Sequence, residues 1–566
     1  MRRLFRESPI IRPFRLARLG MQARNTGHTD WTHIIERDPE AWQAARQNAN
    51  GPKVIIATNV GIHFGAARLD GLLGVALTLR GAQVEYLLCD QVLPACMAAD
   101  QSWYPDLNLF ANKGSSEDIC KHCFEPAYEK LQALELPVHR YSDWLNGRDI
   151  QQAKLWAASI PYENIKSLRA EDKSLWEQAL AGTLRFFARG TLTPETKPVL
   201  QSYVCAARIT KIVVERLSDA NGFDVALLHH GIYVPQGVAA STFKVKGTRI
   251  VTWNTAYRKK CFIFSHDDTY HNTMIDEPVD VWENVELSDK KQTKLSMYMK
   301  SRWKGGEDWI SFYKDPKFDF ASFVSKNQID MSKPIIGLLT NVFWDAQLHY
   351  PANCFTSMKD WIVETVSFFA TRPDLQLVIR VHPAEKTGAL PSRETTRDIL
   401  NGAFSKLPKN VFIVDAEDSL STYAIAENCK ACIIYATKAG IELLTMGIPV
   451  ITAGEAWVKN KKLSIDPKDR DNYFEILGDL PNVSSPQNFR DRARKYAYHF
   501  FFRRMIPLEA VKEEQAWPPF SIKTTNLASL LPGKDGGLDI GCDGILNRSQ
   551  FVFKDENYGE PEVEKN

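Results

Sequence analysis

The chain has 566 residues, of which 11% are aromatic and 24% charged, and a formal net charge of +2. That length exceeds one ordinary core, so two domains are expected, and the supply of core-forming residues excludes a disordered chain. Near-neutral charge excludes bulk nucleic-acid binding, which needs a concentrated basic face.

Residues 1–50 form a basic, helical N-terminal arm that opens with "MRRLFRESPIIRPFRLARLGMQAR". It contains no uninterrupted apolar run of signal-peptide or bilayer-spanning length. The expectation is therefore a cytoplasmic protein that keeps its arm. Two readings of the arm stand side by side: an amphipathic anchor resting on anionic lipid at the cytoplasmic face of the inner membrane, or a segment frayed from or packed on the neighbouring domain.

Residues 51–300 are predicted to be a Rossmann-like domain. "PKVIIATNVGIHFGAARLDGLLGVALTLRGAQVEYLLCD" reads as strand, glycine-containing loop, helix, glycine stop and strand, a βαβ unit. A helical region follows from about 125 to 220, and "FDVALLHHGIYVPQGVAASTFKVKGTRIVTWN" then resumes the α/β pattern. From about 285 the chain turns polar, and residues 301–332 are assigned as a linker. Residues 333–500 alternate strand and helix with regular rhythm, which predicts a second Rossmann-like domain. Residues 501–566 are expected to be a C-terminal helix and, after about 525, a loose tail.

Ten cysteines in a cytoplasmic chain read as thiols or ligands rather than disulfides. Cys89, Cys96, Cys120 and Cys123 admit two readings, a structural tetrahedral zinc site or reduced loop thiols. Cys429 and Cys432 run from a helix end into an apolar strand and read as core.

Two tandem Rossmann-like domains without a dinucleotide glycine fingerprint predict a cleft whose ligand lies between the carboxyl ends of two sheets, the geometry of GT-B glycosyltransferases. "VFWDAQLHY", "RPDLQLVIRVHPAE", "TKAGIELLTMGIPVITAGEAW", "HHGIYVPQG" and "FSHDDTYH" together resemble the bacterial capsule and surface-polysaccharide biosynthesis proteins. The resemblance spans about residues 50 to 480. It implies transfer of a sugar from a nucleotide-sugar donor to a glycan or lipid-linked acceptor of a capsular or other surface polysaccharide.

Local chemistry agrees with that implication. Arg380, His382, Pro383 and Glu385 leave the strand "LQLVIRV" at its carboxyl end, where a guanidinium and an imidazole can hold phosphate oxygens. By resemblance to capsule-type and sialic-acid-polymer transferases, His382 and Pro383 are the nucleotide pair. Thr437, Lys438 and Gly440 open a helix whose backbone N–H groups can cradle phosphate, and Glu442 in its first turn can reach a ribose or sugar hydroxyl.

The catalytic base is expected in the first domain. The candidates are His63 oriented by Asp70, His230 after the strand "DVALL", and Asp267 or Asp268 in "FSHDDTYHNT". The last cluster carries the rival reading, a divalent metal bound by residues 266–271 in a hydrolase or phosphotransferase. A non-catalytic glycan-assembly subunit with the same fold is the other alternative. The expectation adopted is a metal-independent GT-B-like transferase that needs no cofactor beyond its nucleotide-sugar substrate.

Overall fold

The computed structural model describes residues 8, 10–115, 119–160, 172–304, 306–309, 316–346, 353–515 and 517–554. The end of "VFWDAQLHY" beyond Ala346 lies outside the described residues, as does part of the assigned linker.

Two sheets organise the chain, the second all parallel and the first parallel except at one edge, where its last strands pair antiparallel. The first uses β1 (Lys53–Asn59), β2 (Gln83–Leu88), β3 (Val138–Arg140), β4 (Val225–His229), β5 (Arg249–Thr255) and β6 (Cys261–His266). The second uses β7 (Ile335–Leu339), β8 (Gln376–Arg380), β9 (Val411–Val414), β10 (Ala431–Ile434) and β11 (Val450–Thr452). A late strand, β12 (Ile506–Pro507), joins the first sheet, whose order is β12-β6-β5-β4-β1-β2-β3; the second runs β11-β10-β7-β8-β9. Five strands of each sheet thus follow one pattern, in which the first strand is central and the chain winds outward to either side. These are two Rossmann-like domains, as the sequence predicts.

The strands are apolar because both their faces are covered. Val54, Ile55 and Ile56 of β1, and Ile336 and Leu338 of β7, are fully buried. Helix Phe64–Thr78 is also buried all round, which its uniform apolarity anticipates. Gly74 on that helix lets the Tyr86 hydroxyl approach, since a Cβ there would collide with it.

Packing redraws the expected domain boundaries in two places. Residues 501–566 do not form a loose tail over their described length. Ile506 pairs with Phe262 of β6, helix Gly536–Asn547 buries Leu538, Cys542 and Ile545, and Phe551 stacks on Phe264 at 5.3 Å between ring centres. The polar composition that suggests looseness belongs to the outward face; the inward residues complete the first domain's core. The second change concerns the segment before the linker. Met274, Trp282, Leu295 and Tyr298 share one buried cluster with Leu443, Tyr496 and Phe501, so this part of the first domain's sequence packs on the second sheet's side. Helix Asp289–Lys304 runs across the boundary set at residue 300.

Shortening Leu538, which is fully buried, tests whether the C-terminal segment is core. Leu538→Ala is expected to lower unfolding free energy by about 2–5 kcal/mol in a urea titration. An unchanged midpoint would mean that the segment contributes nothing to the fold.

Candidate functional site

In each sheet the connections leave the central strands in opposite directions, which opens a crevice at their carboxyl ends, between β1 and β4 in one and β7 and β10 in the other. The two crevices share a cavity of about 370 Å³. His230, Tyr257, Tyr270 and His271 line it from the first half of the chain, and Thr340, Asp345, His382, Lys438 and Glu455 from the second. Tyr233 ties the halves together, its hydroxyl donating to Asp345 Oδ1 at 2.9 Å and accepting from Ala346 N at 3.0 Å.

His382 is held by backbone. Its own N–H donates to Thr340 Oγ1 at 2.9 Å, and Ala384 N–H donates to its Nδ1 at 3.1 Å. A neutral imidazole whose Nδ1 accepts must carry its proton on Nε2. Burial, with Lys438 and Arg380 nearby, lowers the ring's pKa to about 4, so the neutral form prevails at physiological pH. Pro383 and Ala384 line the cavity beside it.

The other donor-site expectations divide. Thr437 and Lys438 line the cavity, whereas Gly440 does not: its bare Cα faces the core, where a Cβ would meet Ile434 at 2.7 Å and Val458 at 3.3 Å. Arg380 reaches the wall but is committed, donating to the carbonyls of Asp415 and, at 3.1 Å, Asp418. It shapes the loop after β9 rather than offering an open fork to phosphate. Glu385 is buried behind the wall, accepting from Thr396 N and Oγ1 at 2.8 Å each, and so fastens the next helix.

Glu442 also differs from its expected role. Its carboxylate accepts from Arg302 Nη2 at 2.8 Å and Nε at 3.1 Å and from the Tyr423 hydroxyl, and Arg302 reaches on to Asp308. Burial pushes the Glu442 carboxyl up while Arg302 draws it down, and Arg302 itself stays charged. Lys438 sits with its Nζ 3.6 Å above the centre of Tyr257's ring and 3.8 Å from Asp308. Burial and Arg302 hold that ammonium well below its usual pKa. Arg302 and Asp308 were not among the sequence candidates; they come from the polar stretch around the linker, where nothing local distinguishes them from solvated charges.

In the first domain, β1 and β4 bring His63, His229 and His230 together, with ring centres 4.5 Å and 5.6 Å apart in succession. His230 lines the cavity and His63 stands behind it. Burial lowers both to about 4, helped at His63 by Arg185 and opposed at His230 by Asp345. Asp70 does not orient His63. It is fully buried and accepts from Thr58 Oγ1 at 2.8 Å and Trp253 Nε1 at 2.9 Å. Its partners are strand residues, Thr58 twelve positions before it and Trp253 far along the chain, and only packing chooses them over His63.

The cluster at 266–271 is pulled apart. His266 is within hydrogen-bonding distance, 2.9 Å, of the Ser549 carbonyl and stacks on Phe551; Asp267 pairs with Arg548 at 2.6 Å; Asp268 accepts from Thr269 N and Asn272 Nδ2. Of the cluster's histidines and aspartates, only His271 lines this cavity, beside Tyr270. The four cysteines form no disulfide, and Cys89, Cys96 and Cys120 lie near enough to Cys123 to help burial raise its pKa; Ile62 N–H donates to Cys123 Sγ and Cys120 contacts Ser115. Among the described residues, no three His, Cys, Asp or Glu side chains are arranged to hold a metal ion. Among the described residues, neither 266–271 nor the four cysteines supply such a ligand set.

Asp70 yields a stability prediction. Burial raises its pKa to about 7 against the bonds from Thr58 and Trp253. The unfolded chain therefore releases this proton at lower pH than the native one, and its contribution to stability falls as pH rises from about 4 to about 7. Asp70→Asn is expected to remove that decline, so parent minus variant unfolding free energy should fall by up to about 1.4 kcal/mol per pH unit across this window. A pH-independent difference would show that Asp70 ionises normally.

Comparison with known proteins adds a family. Residues 271–475 match the model described as capsule polysaccharide biosynthesis protein. No curated protein matches the chain. Among solved structures, a beta Kdo 2,4 transferase, KpsC of Thermosulfurimonas dismutans, aligns at 11% identity over 51% of this chain and 83% of that one, with a TM-score of 0.34. The beta Kdo 2,7 transferase of the same name and organism aligns at 11% identity over 56% and 88%, with a TM-score of 0.30. The UDP-GlcNAc 2-epimerase of Neisseria meningitidis bound to UDP-GlcNAc aligns at 9% identity over 79% and 95%, with a TM-score of 0.22. The segment holding His271, His382, Lys438 and Glu455 is thus a match to the capsule polysaccharide biosynthesis protein family.

Proposed function

We propose that the protein is a glycosyltransferase of capsular or other surface-polysaccharide synthesis, with its nucleotide-sugar donor in the 370 Å³ cavity. The observation that carries the reading is His382, whose backbone bonds leave the imidazole neutral and protonated at Nε2 at the mouth of the second domain's crevice. Such a group donates to a phosphate oxygen without competing for its proton. Lys438 lies across the same cavity. A half-buried lysine whose pKa is depressed regains its charge when a phosphate enters beside it, so donor binding is accompanied by proton uptake. The family match over 271–475 supports the same assignment.

The division of labour follows from the walls. His382, Lys438 and Thr437 hold the phosphates, and the rings of Tyr257, Tyr423 and Tyr435 enclose the rest of the donor. His230 closes the cavity from the first domain, where the acceptor enters. Binding between two domains excludes water that would otherwise hydrolyse the donor. Leaving-group charge is stabilised by these preorganised donors, and no metal is required in this reading.

A thermal-shift screen against UDP-, GDP-, dTDP- and CMP-sugars, with and without EDTA, tests the donor site. One nucleotide family should raise the melting temperature of the parent and not of His382→Ala, with EDTA without effect. Equal shifts in both proteins would remove His382 from the site, and no shift with any nucleotide would favour a non-catalytic glycan-assembly subunit.

We also propose peripheral contact with the inner membrane. No helix among the described residues is long and apolar enough to cross a membrane. Helix Arg12–Asn25 turns Arg12 and Arg15 onto the protein, donating to Trp103 and Ser102 carbonyls, while Ile10, Phe14 and Met21 are exposed. Those apolar groups beside the exposed Arg18 suit an anionic interface. The parent should float with vesicles containing phosphatidylglycerol and a Phe14→Asp variant should not. Absence of flotation with the parent would return the arm to a purely structural role.

A further inference from the structure

Glu455 was not a sequence candidate, yet it occupies an unusual position. It follows β11, is 6% exposed, and belongs to the walls of two cavities: the donor cavity described above and a second of about 850 Å³. The second cavity is lined by polar groups from both halves, including Gln178, Ser241, Thr252, Asp268, Asn272 and Lys459. Hydroxyls, amides and charges of both signs suit a polyhydroxylated ligand such as a glycan chain.

The bonds around Glu455 have a defined direction. Trp457 Nε1, which can only donate, gives its proton to His271 Nδ1 at 3.2 Å. The neutral His271 ring therefore carries its proton on Nε2, which faces Glu455 Oε1 at 3.2 Å. Glu455's backbone N–H is fixed by Asn353 Oδ1 at 2.8 Å. One carboxylate oxygen is thus occupied, and the other, Oε2, is buried with no hydrogen-bond partner among the described residues. A buried acceptor without a partner is costly, and a site that keeps one usually has a ligand or proton to place there.

Resting on the transferase reading, we infer that Glu455 is the catalytic base that takes the acceptor's proton, with the acceptor glycan lying in the 850 Å³ cavity. The acceptor O–H bond breaks and its proton passes to Glu455 Oε2. The oxygen forms a bond to the anomeric carbon, and the bond from that carbon to the nucleotide phosphate breaks, its electron pair leaving with the phosphate held at His382 and Lys438. His271 can keep donating to Oε1 throughout, so protonation needs no rearrangement. Burial raises the Glu455 carboxyl above its usual range despite His271, which strengthens it as a base; His230, lowered to about 4, is a weak one at neutral pH.

The test compares parent, Glu455→Gln and Glu455→Asp, measuring melting-temperature rise with the UDP-, GDP-, dTDP- and CMP-sugar panel and nucleotide release from those donors in the presence of a lipid-linked glycan extract. Glu455→Gln should keep the donor-induced rise and release nucleotide at least about 100-fold more slowly, with partial recovery in Glu455→Asp. A Gln variant that binds donor and turns over at the parental rate overturns the role of Glu455 alone. A parent that neither binds nor cleaves any donor overturns the transferase reading itself, and this inference with it.

Discussion

The arrangement depends on one topological constraint. When a chain winds outward from a central strand first to one side and then to the other, the loops leaving adjacent strands diverge, and no main chain covers the gap. Here the constraint operates twice, at β1 and β4 and at β7 and β10. Each gap must be filled by side chains or ligand. The first is filled by three clustered histidines, the second by Thr340, His382, Thr437 and Lys438, and the cavity is what lies between.

A buried charge network forms part of that cavity's wall. Arg302 joins Glu442 and Asp308, and Tyr423 donates to Glu442, which ties helix Asp289–Lys304 to helix Ala439–Met446. A network of this kind contributes little net stability over an apolar core, but breaking it strands charge in a low dielectric. Its consequence for function is positional. With Arg302 neutralised by two carboxylates, Lys438 is left facing the cavity from a site where burial disfavours its charge. An incoming phosphate relieves that condition.

In the proposed transferase reading, His382 and Lys438 meet the charge of the departing phosphate and Glu455, raised by burial, meets the acceptor hydroxyl. The imidazoles of His63, His229 and His230, lowered by burial, add no charge on the first domain's side.

The sequence by itself determined the alternation of buried strands and helices, because doubly covered strands must be continuously apolar, and it placed His382 and Lys438 at a carboxyl edge, because Pro383 and the turn after β10 end their ladders there. It also showed capsule-type motifs, of which "VFWDAQLHY", "RPDLQLVIRVHPAE" and "TKAGIELLTMGIPVITAGEAW" fall in the segment matched over 271–475. Tertiary structure alone decided which ionisable groups share space. Arg302 and Asp308 look like ordinary linker charges until the helix around them packs on the second sheet. Asp70, Glu385, Arg380 and Gly440 carry reactive or permissive chemistry, yet their partners, fixed by packing across distant segments, commit them to the scaffold. Glu455 is the converse: a carboxylate inside the motif "TKAGIELLTMGIPVITAGEAW" that looks ordinary there, which His271 and Trp457 complete only because a helix from the first half of the chain lies against the loop after β11.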